Sequence, residues 1–135
     1  MAVNYLAILV ASIVSMGIGF LWYGPLFGKL WMKWMHIKKK KIEEAQQKGM
    51  TKYYVAAFVG TLVTNLVLAG SLAYIGAQTL FDGLALAFWL WLGFVATTTL
   101  GSVLWEGKPL KLYLLNNAHN LASLFVAAII LVLWQ

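Results

Sequence analysis

Few side chains in these 135 residues can do chemistry, and the densest group sits inside a long apolar run: Asn116, Asn117, His119, Asn120 and Ser123. Spacing of i, i+3, i+4 and i+7 puts Asn116, His119, Asn120 and Ser123 on one face of a helix. That face offers amides, a hydroxyl and an imidazole, all of which donate and accept hydrogen bonds. In hydrocarbon an unpaired amide costs several kcal/mol, so the face must turn inward or toward a second subunit. The partners expected at comparable depth are Asn65 and Thr64, together with Thr97, Thr98 and Thr99. Such a cluster either fixes the register of packed helices or lines a polar cavity or pathway.

Catalytic and cofactor chemistry find little support. His36 is the only other histidine and lies in a different segment, and cysteine and arginine are absent. No metal ligand set, haem pair, thiolate nucleophile or bidentate anion clamp can be assembled, so neither metal nor other cofactor is expected. Glu106 stands among Lys108 and Lys111 as a solvated ion pair would, and Asp82 is placed to cap a helix. Ser and Thr have no general base except His119. No catalytic residue is assigned, and the chain reads as a non-enzyme.

The elements that must position the polar residues are set by solvent. Hydrophobic residues make up 62% of the chain and charged residues 10%, against about 25% charged in soluble domains. Four segments without Lys, Arg, Asp or Glu, at about 3–23, 54–75, 83–105 and 112–134, each reach the length of about 20 residues that crosses a bilayer. The prediction is one transmembrane domain over 1–135, an all-α integral membrane four-helix bundle built as two helical hairpins. Gly24-Pro25 ends the first span, because proline lacks an N–H and displaces its predecessor from the helical region.

Every lysine falls on one side of this arrangement: Lys29, Lys33, Lys38 to Lys41, Lys48 and Lys52 after the first span, Lys108 and Lys111 after the third. Positive-inside asymmetry then puts both termini outside and the lysine-bearing segments in the cytoplasm. The segment at about 28–48 is predicted as an amphipathic interfacial helix, with Trp31, Trp34 and Met35 on one side and lysines around them. The net charge of +6 points to anionic lipid at the cytoplasmic face rather than to nucleic acid, since no solvated domain carries it. Trp22, Tyr23, Gly24, Pro25, Phe27, Gly28 and Trp31 form a tight aromatic turn that anchors a helix end or holds a headgroup or partner helix.

Small residues mark where membrane helices approach closely. Ala7, Ala11, Ser15 and Gly19 repeat at i+4 in the first span. Shorter ridges follow in the others: Ala56, Gly60 and Thr64; Gly93, Thr97 and Gly101; Ala118 and Ala122. More ridges than one small bundle needs favour a homo-oligomer, a dimer first.

The run Leu21-Trp22-Tyr23-Gly24-Pro25-Leu26-Phe27-Gly28-Lys29-Leu30-Trp31-Met32-Lys33 resembles the signature of a mostly bacterial membrane family, domain of unknown function 1761. The resemblance extends to Asn4 to Ala7, to Ala96-Thr97, to Trp105-Glu106-Gly107-Lys108-Pro109-Leu110-Lys111-Leu112, and to Leu115-Asn116 leading to Trp134. The chain departs from the family in the fourth span, reading Asn116-Asn117-Ala118-His119-Asn120 where the pattern is Asn, small, Gly, Tyr, His. The resemblance implies four membrane helices, a bacterial inner-membrane location and no established activity. The function expected is that of a non-enzymatic oligomeric bundle serving as an interaction or accessory protein. The alternatives are a small transporter or channel, or a lipid or small-molecule binder, using the polar face of the fourth span.

Overall fold

A computed structural model describes residues 3–135, and among them there is no strand. Four helical stretches are long and apolar enough to cross a membrane: Tyr5–Leu26, Thr51–Ile75, Leu80–Leu104 and Leu110–Leu133. They match the four predicted spans to within a few residues at each end. The chain thus has the architecture of a multi-pass membrane protein.

Helix α1 (Tyr5–Leu21) begins at Asn4, whose side chain accepts from the Ala7 N–H at 3.1 Å. It runs into a widened turn, Trp22–Leu26, where Gly24 leaves helical geometry (φ −108, ψ −106) one residue before Pro25. Phe27 N–H then donates to the Trp22 carbonyl at 2.8 Å, and the chain folds back as α2 (Gly28–Met35). Glycine is required at 28: a Cβ there would lie 2.6 Å from the Tyr23 carbonyl oxygen.

The single interfacial helix predicted at about 28–48 is two helices. His36 takes a left-handed conformation (φ 57), ending α2, and α3 (Lys39–Lys48) starts afresh after Lys38. The apolar side of the segment ends with Met35 and Ile37, and the lysine run that follows has no apolar residue to hold a continuous face.

Helix α4 (Thr51–Ile75) ends at Gly76 in the left-handed region (φ 69), which glycine adopts without penalty. Helix α5 (Leu80–Leu90) opens on a capping box. Thr79 is the cap and accepts from Asp82 N–H, while the Asp82 carboxylate accepts from the Gln78 and Thr79 N–H groups. Asp82 therefore serves the helix start from its first turn rather than as the cap itself.

The third span is irregular beyond α5. A widened turn (Trp91–Ala96) and a tightened one (Thr98–Leu100) precede the short α6 (Gly101–Leu104). Carbonyls displaced from regular pairing need donors at this depth. Thr97, Thr98 and Thr99 supply them, donating to the carbonyls of Gly93 (2.7 Å), Phe94 (2.6 Å) and Val95 (2.7 Å).

Helix α7 (Leu110–Leu133) packs against both α1 and α5, while α1 also packs against α4. Contact between α4 and α5 is slight. The apolar core occupies the end of the bundle where the termini meet: Ala7 and Ala11, Leu68 and Leu72, Ala128 and Leu131 are its centre. Asn4 Nδ2 donates to the Trp134 carbonyl (3.0 Å) and Gln135 Nε2 to that of Ala77 (2.9 Å), closing that end.

The small-residue ridges divide. Ala7, Ala11 and Ser15 are buried, as close approach of α1 to its neighbours requires, whereas Gly19 is half-buried beside His119. Ala56, Gly60 and Thr64 are exposed, as are Gly93, Thr97 and Ala118. Gly101 and Ala122 are half-buried, so the shorter ridges take part in packing within the chain at those members and not at the exposed ones.

Candidate functional site

The packed core stops at Asn65. Toward the lysine-bearing end no residue of α4 before Asn65 is buried, and its side-chain contacts with α1 thin out to Thr61 Oγ1 beside Met16 Sδ (4.0 Å) and Tyr54 edge-on to Phe20 (5.6 Å). A cavity of about 880 Å³ fills the gap. Its walls come from α1 (Ser15, Gly19, Phe20), α4 (Ala57, Thr61, Asn65) and α7 (His119, Asn120, Ser123). Ile42 and Ala45 of α3 and Trp31 of α2 border the lysine end, and Val95 of the irregular third span touches it. No Lys, Asp or Glu lines it.

The structure brings the predicted polar tract and the predicted aromatic turn together. Tyr23 Oη donates to Asn116 Oδ1 at 2.7 Å, linking the Gly24-Pro25 break to the middle of the bundle across 93 residues. The His119 ring packs against Tyr23 (centroids 5.1 Å apart) and Trp22 (5.9 Å). Trp31 meets Tyr23 edge-on at 5.9 Å, and Phe27 lies 4.8 Å from Trp22. Room for His119 depends on a small neighbour, since a Cβ at Gly19 would reach 3.5 Å from its Nε2. Tyr23, Gly24 and Trp31 border the cavity, while Pro25 is exposed on the outer side of the turn.

The pairings differ from those expected. Asn65, 2% exposed, donates to Ser12 Oγ of α1 at 3.0 Å and not to the fourth span. Ser12 in turn donates to the Ile8 carbonyl at 2.7 Å. Thr64 turns back to the Gly60 carbonyl, and Thr97 and Thr98 serve their own segment as described above, so none of the three reaches Asn116, His119 or Asn120. His119 Nδ1 lies 3.3 Å from Asn120 Oδ1, and Ser123 Oγ lies 3.4 Å from His119 Nε2, so both ring nitrogens of His119 find partners along α7.

Asn117, off the face that carries Asn116, Asn120 and Ser123, links α7 to the irregular part of the third span. Buried at 4% exposure, it donates to the Tyr113 carbonyl (3.0 Å) and accepts from Thr99 Oγ1 (3.2 Å). Its own carbonyl accepts from Trp91 Nε1 at 2.9 Å. Tyr113 donates to the Ala96 carbonyl inside the irregular segment.

Among the described residues no three of His, Asp and Glu converge as metal ligands would. With His119 held between two neutral neighbours, the arrangement can hydrogen-bond a molecule seated in this half-open space.

A family model described as "Protein of unknown function (DUF1761)" matches residues 6–132, a stretch that contains the whole cavity lining. No curated protein and no solved structure matches the chain.

Proposed function

Because this chain belongs to the family described as protein of unknown function (DUF1761), a description that carries no activity, we propose a function from the site itself. The protein is a membrane-embedded binding protein for a small, largely apolar molecule held between α1, α4 and α7. The observation that carries this reading is the cavity of about 880 Å³. Ligand sites run roughly 300–1,000 Å³, with apolar walls and a few convergent polar groups, and this one has Asn65, Asn120 and Ser123 among mostly apolar neighbours.

The setting is an inner membrane, with the cavity in the cytoplasmic half. All ten basic residues lie on the α2–α3 side or beside Lys108 and Lys111, which supports both termini being outside. Helices α2 and α3 then lie on the anionic inner leaflet, each lysine contributing about 1 kcal/mol of attraction. The role is binding and not catalysis, for want of a carboxylate or second base beside His119.

A second reading, an oligomeric accessory protein, is favoured by the exposed small residues Ala56 and Gly60 on α4, which lie outside the cavity lining. Small residues turned outward suit a second copy more than lipid.

Photolabelling in lipid nanodiscs with a diazirine-bearing long-chain alkane tests the binding reading. Adducts should concentrate on Met16, Thr61 and Ser123, and Ala57→Trp, which fills the cavity, should remove them without lowering the melting temperature. Adducts spread evenly over outward residues such as Val59 and Val63 would refute it.

A further inference from the structure

The polar atoms of the cavity differ in what they have left to offer. Asn65 is almost wholly enclosed, and its amide nitrogen is committed to Ser12 Oγ. Its Oδ1 meets no protein donor among the described residues, which leaves an acceptor on the α4 wall. Asn120 is the converse. Its Oδ1 faces His119 Nδ1 at 3.3 Å, and an oxygen acceptor there requires Nδ1 to carry the proton. Nε2 is then the acceptor for Ser123 Oγ. Asn120 Nδ2 is left with its N–H groups unpaired, a donor on the α7 wall.

Of the neighbouring polar groups, two threonine hydroxyls are already committed, while the Ser15 and Tyr54 hydroxyls and the Gln46 amide border the same space without a partner among the described residues. Thr61 and Thr64 donate to the carbonyls of Ala57 (2.9 Å) and Gly60 (3.0 Å) on their own helix. The rest of the lining is dominated by apolar and aromatic side chains, Phe20, Ile42, Met50 and Tyr54 among them. Without Lys, Asp or Glu in the lining, a charged group would enter without a counter-ion, at a cost that pairing would otherwise offset.

Resting on the binding reading above, we propose that the cavity selects a neutral long-chain molecule whose head both donates and accepts a hydrogen bond, a primary alcohol or a carboxamide. Asn65 Oδ1 takes the donated proton of the head, Asn120 Nδ2 donates to its oxygen, and the chain fills the apolar remainder. Esters, which only accept, satisfy one side. Carboxylates and amines bring charge that the lining does not match.

The test is protection from the alkane photolabel in nanodiscs by dodecanol, dodecanamide, methyl dodecanoate, dodecane, dodecanoate and dodecylamine. Dodecanol and dodecanamide should protect at mole fractions about tenfold below dodecane, the equivalent of one net hydrogen bond of about 1.4 kcal/mol. Asn120→Leu should abolish the advantage of both over dodecane measured on that same variant, and an unchanged melting temperature shows separately that the variant is folded. Equal potency across the panel, or strongest protection by dodecanoate or dodecylamine, would overturn the head-group assignment and leave the binding reading intact. Absence of any cavity adduct in the wild-type protein would remove both.

Discussion

Asn65 of α4 and Ser12 of α1 close a buried hydrogen bond of 3.0 Å at the level where the packed core ends and the cavity begins. It is a side-chain link between these two helices at the depth where the burial of α4 ends. Interhelical bonds of this kind contribute about 0.6 to 2 kcal/mol in a membrane.

Asn65→Leu and Ser12→Ala should each lower stability by about 1–2 kcal/mol, since either leaves a buried polar atom without its partner. The double variant should lose clearly less than the sum, because the two share one interaction. Unfolding by denaturing detergent checks this, and additive losses would mean that the bond contributes nothing.

Gly28→Ala should destabilise by about 1–3 kcal/mol, because the new methyl group meets the Tyr23 carbonyl oxygen and forces the turn open. Gly17→Ala is the matched control, as a Cβ there has nothing within 4 Å and the change should be neutral or mildly stabilising. Thermal melting of both variants decides the matter, and equal losses would contradict the tight turn.

The lengths and the charge-free interiors of the four spans were enough to fix their number, because hydrocarbon thickness and the cost of bare charge act on each segment alone. The aromatic turn at Trp22 to Gly28 was equally legible, since Gly-Pro has one local meaning in a helix. Which way each face points was not. Asn65 found Ser12 rather than Asn120 because the rotation of α4 about its axis is set by packing that no single segment encodes. A signal for Ser12 did exist: Ile8, Ala11, Ser12 and Ser15 repeat at i, i+3, i+4 and i+7 and are all buried. The threonine run at 97–99 carried no sign that the backbone there is irregular; its hydroxyls bond local carbonyls, and of the three Thr99 also meets the fourth span, at Asn117.

The membrane orientation proposed from the lysines is open to labelling, because the chain has no cysteine background. Gln78→Cys, in the exposed turn before α5, should react with an impermeant thiol reagent applied to the outside of intact cells. Lys40→Cys in α3 should react only after the membrane is opened. The reverse pattern would invert the topology and put the cavity in the outer half.

A crystal structure grown from a lipid mesophase would test the cavity most directly. With α4 standing away from α7, elongated non-protein density should run from the Asn65–Asn120 level toward α3, with the Asn65–Ser12 bond in place. If α4 instead lay against α7, with Asn65 bonded to Asn120 and the space between them gone, the binding account would be contradicted.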